Sequence, residues 1–247
     1  MAKRLVIANW KMNGNLALVQ ETLGSLQSQS NVEVVIVPPA IYVGAFAASL
    51  PTSFALGLQN VSQFSAGAHT GEIAASMAAE NGVSWVLAGH SERRVGHGED
   101  DEIVAAKVAR ALEAGLSVVI CVGESLAIRE AGEAEDFVRQ QIRAQAAAFA
   151  KPGQVAIAYE PIWAIGSGIS ATAEQAVAMH KVIRQTLNEV AAEQTEGVRV
   201  LYGGSVNADN AGSLFQHPEI EGVLVGGASL DNAQFAAIIR AASEAAA

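Results

Sequence analysis

Short runs of apolar, largely β-branched residues recur along the whole chain, at 5–8, 34–37, 54–58, 85–88, 118–122, 155–159, 198–202 and 223–225. They are continuous rather than alternating, as expected of strands covered on both faces of a parallel sheet. The segments between them carry helical spacing. The clearest spans 172–193, where Ala176, His180, Ile183, Leu187 and Val190 repeat at steps of four and three. Thr172 and Gln175 open it as a capping box, each side chain able to satisfy the other's backbone N–H. Further helices are expected over 16–28, 101–114, 134–149, 207–215 and 228–245. Eight alternations of strand and helix predict an α/β fold with right-handed crossovers and the count of a (β/α)8 barrel. An open doubly wound sheet is the alternative. Against it, the turn after the first strand is Asn9-Trp-Lys-Met-Asn13, not the glycine-rich loop that a dinucleotide site needs.

Composition narrows the picture. Of 247 residues 51% are apolar and 16% charged, ample for a large core and opposed to disorder. No Pro/Ser-rich linker or charge block divides the chain, so residues 1–247 are expected to form one barrel domain. The formal charge of −10 repels phosphate polymers and anionic lipid surfaces, which argues against nucleic-acid and membrane partners. No apolar run reaches the roughly 18 residues of a membrane span. The start runs straight into the first strand, unlike a signal peptide. The lone Cys121 excludes an intramolecular disulfide, and the expected location is the cytoplasm.

In a parallel barrel the active site lies at the carboxyl ends of the strands. Asn9 and Lys11 follow the first strand, where a turn Asn and a solvated Lys are as plausible as a cation facing an anionic substrate. Gly89-His-Ser-Glu-Arg-Arg94 follows the fourth, and Glu160 the sixth. A carboxylate at the end of an apolar strand is partly desolvated and suits a general base, although an ion pair at the barrel mouth would look the same. The next segment, 161–171, carries Trp163 and Ile165 between glycines, which suits a lid that expels water. Tyr202-Gly-Gly-Ser-Val206 and Val225-Gly-Gly-Ala228 follow the last two strands. Glycine pairs ahead of helices let backbone N–H groups approach an anion, and their position matches the barrel's usual phosphate site. No metal-ligand spacing occurs among the five histidines. Cys121, inside a strand, reads as a buried inert thiol.

These blocks, in this order and over essentially the whole chain, resemble the triosephosphate isomerase family. The resemblance implies interconversion of dihydroxyacetone phosphate and glyceraldehyde 3-phosphate through an enediol(ate), without cofactor or metal. It assigns Glu160 as the base, neutral His90 as the electrophile, and Lys11 as the cation that meets the substrate and its oxyanion. Asn9 would bond substrate oxygens and Glu92 would help hold Lys11. The amides of Gly166, Ser205, Gly226 and Gly227 would take the phosphate. It also implies a homodimer in which the loop 59–72 enters a pocket near the partner's lysine. His69 stands where the family often has Phe, and Gly168-Ile169-Ser170 where many members have Gly-Lys-Thr. A sugar phosphate epimerase or a non-catalytic binding barrel are the alternatives; the first would want metal ligands at strand ends, and the second should have lost Lys11, His90 or Glu160.

Overall fold

The computed structural model describes residues 3–165 and 171–245. Eight parallel strands, β1 (Arg4–Asn9), β2 (Val32–Val37), β3 (Ala55–Leu58), β4 (Trp85–Ala88), β5 (Ser117–Val122), β6 (Val155–Tyr159), β7 (Arg199–Tyr202) and β8 (Gly222–Val225), form a closed barrel in sequence order. Closure comes from β8 pairing with β1, Leu5 opposite Gly222 and Ala8 opposite Val225.

The continuous apolar runs are used on both faces, as expected. Alternate residues, among them Leu5, Ile7, Val35, Val37, Leu87, Val119, Cys121 and Leu201, fill the barrel interior. Their neighbours Val6, Ala8, Val34, Ile36, Val86, Val118 and Ile120 pack outward against helices. Trp85 plugs the end remote from the strand carboxyl termini. Its indole N–H donates to Glu33 at 3.0 Å, and Arg199 pairs with Glu33 at 2.6 Å while lying over the Trp85 ring.

Ten α-helices are assigned among the described residues: α1 (Leu16–Ser25), α2 (Val43–Ala47), α3 (Ala75–Glu80), α4 (Ser91–His97), α5 (Asp101–Glu113), α6 (Leu126–Glu130), α7 (Ala134–Arg143), α8 (Ala173–Ala191), α9 (Ala211–Phe215) and α10 (Asn232–Glu244). The capping box of α8 is present in both directions, Thr172 N–H to Gln175 Oε1 at 2.9 Å and Gln175 N–H to Thr172 Oγ1 at 3.2 Å.

Helix lengths depart from the spacing where side chains capture the backbone. The helix expected over 16–28 stops at Ser25, whose hydroxyl donates to Thr22 O. The segment 134–149 breaks after Arg143, where the buried Gln145 amide donates to Asp101 O and a 3₁₀ turn, Ala146–Ala150, follows. Only Ala211–Phe215 of 207–215 is α-helical, because Asn207 and Asn210 bond each other's backbone first. The segment 228–245 splits into a 3₁₀ turn, Gly227–Leu230, and α10, which Asp231 caps by accepting from Ala233 and Gln234 N–H. Helices α2, α3, α4 and α6, of 5, 6, 7 and 5 residues, are too short to show a period in sequence.

Candidate active site

A cavity of about 820 Å³ opens at the carboxyl ends of the strands and is lined by Asn9, Lys11, His90, Glu92 and Glu160 on one side and by Ser205, Gly226 and Gly227 on the other. Every described residue assigned to the site from sequence is therefore in one hollow. Gly166 and the lid substitution Ile169 lie outside the described residues.

Glu160 continues the ladder beyond β6, its N–H donating to Val122 O at 2.7 Å, and is only 1% exposed. Its Oε2 accepts from the Ser91 N–H at 2.8 Å. Its Oε1 lies 2.9 Å from His90 Nε2, close but poorly aligned for a hydrogen bond. Burial thus strips the carboxylate of water and leaves it one well-aligned donor among the described residues, a setting that suits a general base.

His90 caps α4, its Nδ1 accepting from the Glu92 N–H at 3.2 Å. A ring nitrogen that accepts carries no proton, so the neutral ring carries its hydrogen on Nε2, facing the cavity. Burial disfavours the imidazolium, but the charges of Glu160 and, further off, Glu92 outweigh it, and the His90 pKa is raised while Glu160 rests against the ring. The preceding turn needs glycine. Gly89 has φ +69°, and a Cβ there would meet Val104 at 2.8 Å. Arg94 pins this turn, its Nε donating to Gly89 O and its Nη1 pairing with Asp101 at 2.8 Å.

Lys11 is the non-glycine residue with positive φ, 52°, among the described residues, a conformation that costs an ordinary side chain about 1–3 kcal/mol and persists only when its surroundings impose it. Three bonds impose it here. Lys11 N–H donates to Asn9 Oδ1 at 3.0 Å, Gln59 Nε2 donates to Lys11 O at 2.8 Å, and Lys11 Nζ pairs with Glu92 Oε1 at 2.6 Å. The lysine stem crosses Gly226, where an added Cβ would lie 3.3 Å from Lys11 Cε. That glycine lets the lysine stem pass against the far side of the cavity while its Nζ stays with Glu92.

At that far side the backbone is equally tight. A Cβ on Gly203 would meet Glu160 Cγ at 3.0 Å, and one on Gly204 would meet the Tyr202 hydroxyl at 2.2 Å. The amides of Ser205, Gly226 and Gly227 find no protein acceptor among the described residues. The glycine pairs were expected to be followed by helices. The second runs straight into the 3₁₀ turn Gly227–Leu230, with α10 starting only at Asn232, and after the first α9 starts at Ala211, so the anion-seeking groups here are N–H groups of turns rather than long-helix termini.

The segment after Glu160 folds inward. Trp163 Nε1 donates to the buried Glu124 at 2.8 Å, Tyr159 Oη donates to the same Oε1 at 3.1 Å, and Arg129 pairs with Glu124 while stacking on the Trp163 ring. Burial and the adjacent Glu124 push the Tyr159 phenol well above its ordinary pKa, so it stays a donor. Ile162 and Ile165 line the cavity. Cys121 is buried, and burial pushes its thiol pKa up, with Glu160 adding to the effect; it is a neutral wall residue, as read from its strand.

The loop 59–72 projects from the barrel. Ser62 N–H to Ile73 O at 2.8 Å closes its base, residues 64–72 are exposed, and the Phe64 and His69 rings stack with centroids 3.8 Å apart. Its first residue, Gln59, is the donor that holds Lys11. Neither Gln59 nor the Ser91 amide was singled out from sequence, since each acts through backbone geometry that leaves no mark in composition. Asn207 and Gln234 also line the cavity and were missed for the same reason.

The family model described as triosephosphate isomerase matches residues 4–242. Among curated proteins, the triosephosphate isomerase of Marinobacter nauticus is 49% identical over 97% of this chain and 98% of its own length. That of Paracidovorax citrulli is 48% identical over 98% and 99%, and that of Hahella chejuensis 42% identical over 99% and 100%.

Proposed function

The chain belongs to the triosephosphate isomerase family and interconverts dihydroxyacetone phosphate and D-glyceraldehyde 3-phosphate, and we propose that Glu160, His90 and Lys11 carry this chemistry, with Asn9 and the free turn amides placing the substrate. One observation supports the assignment above the others: a desolvated carboxylate, an Nε2–H donor and a cation share one cavity with a set of unpartnered amides.

The phosphate binds the amides of Ser205, Gly226 and Gly227, joined by that of Gly166, and the carbonyl end lies toward Asn9, Lys11 and His90. Glu160 turns from the Ser91 amide to the substrate and takes the proton from the carbon beside the carbonyl. The C–H electron pair becomes the enediolate double bond, and the carbonyl π pair moves to oxygen. His90 Nε2–H and Lys11 Nζ stabilise that oxygen, and they are fixed before the charge develops, which is where such donors act most strongly. A proton then passes from the hydroxyl on the first carbon to the former carbonyl oxygen, both within reach of His90 Nε2, and Glu160 returns its proton to the neighbouring carbon, which completes the isomerisation. Once Glu160 has turned from the ring to the substrate its charge no longer favours the imidazolium so directly, and the Glu92 N–H at His90 Nδ1 opposes a second proton, so that His90 acts as a neutral donor. Exclusion of water protects both the base and an enediol that would expel its phosphate.

The test is a coupled isomerase assay with EDTA-treated protein. Wild type turns over, and Glu160→Gln lowers kcat by about 100-fold or more while inorganic phosphate still competes. A wild type inactive under these conditions, or a Gln variant with normal kcat, refutes the assignment.

The same reading extends to assembly. A homodimer is supported by the exposed stretch 64–72 of the loop 59–72, by the exposed apolar residues Met12, Ile41 and Val95, and by a hollow of about 180 Å³ beside Lys11, Met12, Arg93 and His97 that suits the partner's Thr70-Gly71-Glu72 tip. Sedimentation at micromolar concentration yields twice the monomer mass; a monomer refutes it. Residues 1–247 act as one domain. A cytoplasmic setting fits the lone reduced Cys121 and the lack, among the described residues, of a helix long and apolar enough to cross a membrane.

A further inference from the structure

The turn that carries Ser205 is held at its start, where Gly203 N–H donates to Tyr159 O at 2.7 Å, and needs a second hold beyond it. Gly203 and Gly204 have no side chains to anchor their backbone, and glycine surrenders the most conformational freedom when ordered. The restraint comes from further along the chain. Asn210 Nδ2 donates to Ser205 O at 2.9 Å, and Asn210 Oδ1 accepts from Asn207 N–H at 2.9 Å. In return Asn207 Oδ1 accepts from Asp209 N–H at 2.9 Å and from Asn210 N–H at 3.1 Å. The two side-chain amides close a clasp across the turn 205–210.

A peptide unit is planar and trans, so fixing its carbonyl fixes its N–H in the opposite direction. The Ser205 carbonyl shares its plane with the Val206 N–H, and Ser205, Val206 and Asn207 all line the cavity. Asn210 does not line it, is half-buried, and reaches the site through the Ser205 carbonyl and its bonds with Asn207.

We propose that Asn210 is a positioning residue for phosphate recognition: by holding the Ser205 carbonyl it sets the Ser205–Val206 peptide, and so the aim of the Val206 N–H and the course of the turn that presents the neighbouring Ser205 amide to the phosphate. The inference rests on reading this end of the cavity as the phosphate subsite. A misaimed turn must be reordered in every complex, in ground state and transition state alike, so its loss raises KM and leaves kcat.

The experiment measures kcat, KM and competitive inhibition by inorganic phosphate for wild type, Asn210→Ala and Asn210→Asp, at two salt concentrations, with thermal melts alongside. Asp keeps the acceptor for the Asn207 N–H and lacks the donor to Ser205 O, which isolates the bond to Ser205 from the bond to Asn207. Both variants raise KM and the phosphate inhibition constant together by about five- to tenfold, the effect of one hydrogen bond, with kcat within about twofold, and the rise persists at high salt. Wild-type phosphate inhibition in Asn210→Asp, or a rise in Asp that fades with salt while Ala is unchanged, overturns the proposal. Absence of competitive inhibition in wild type overturns the phosphate subsite itself, and the proposal with it.

Discussion

Replacing Gly123 by Ala tests how tightly Glu160, the proposed base, is held. Gly123 follows β5 and lies against the end of β6, where a Cβ would sit 1.8 Å from Glu160 O, 2.7 Å from its carbonyl carbon and 3.2 Å from its Cα. All three are backbone atoms, so no rotamer change relieves the clash. Reaching the 3.0 Å below which real Cβ contacts are not found needs an opening of about 1.2 Å. Gly123 cannot retreat freely, because its N–H donates to the buried Gln141 Oε1 at 2.8 Å. Glu160 therefore takes a large share of the displacement. Overpacking of this kind costs about 1–3 kcal/mol of stability, and an ångström-scale misplacement of a catalytic group costs about 100-fold in rate. The assay is kcat from coupled isomerisation beside a denaturant melt, with Gly222→Ala as control. A Cβ on Gly222 would come 2.1 Å from Leu5 O, an equal clash at the other end of the barrel, and should lower stability without lowering kcat. A Gly123→Ala enzyme that is destabilised yet keeps kcat within about threefold, or a control that loses kcat as severely, would refute the reasoning.

Other outcomes are as specific. Burial holds the His180 pKa down, from 6.5 to about 4. The unfolded chain therefore binds the extra proton first, and stability present above pH 6.5 falls by about 1.4 kcal/mol per pH unit down to about pH 4. His180→Asn should flatten that slope in denaturant titrations, and an unchanged slope would contradict it. The side chains of Lys107 and Glu99 are 5% and 4% exposed and pair with each other. Lys107→Met alone leaves the buried Glu99 paired with Arg93 only in part and should cost about 3 kcal/mol, and Lys107→Met with Glu99→Leu should recover much of it; equal losses in chemical melts would exclude the pairing argument. Glu92→Ala removes a partner of Lys11 from an exposed pair, so stability should shift by less than about 1 kcal/mol while kcat/KM drops about tenfold as Lys11 loses its aim. A melt that moves more than the kinetics would reverse that reading.

Much of this molecule was legible in its residues because each signal was local. The eight apolar runs report burial on two faces, and all eight became strands within one or two residues of their expected ends. Glu160, His90, Lys11, Asn9 and the glycine pairs could be found because each sits just beyond a strand, where a barrel gathers its chemistry. Where helices were misjudged, as at 134–149 and 207–215, a side-chain amide had captured the backbone, and a spacing pattern does not see which polar group wins.

Tertiary structure alone decided the rest. Closure of the barrel, rather than an open sheet of the same strands, is the pairing of Leu5 with Gly222 across most of the chain. The left-handed Lys11 depends on Gln59 from another strand end, the resting place of Glu160 on an amide from Ser91, and the aim of Ser205 on the Asn207–Asn210 clasp. A sequence records each residue's preference for burial and conformation. Which donor meets which acceptor depends on register and closure, which are cooperative properties of the whole barrel.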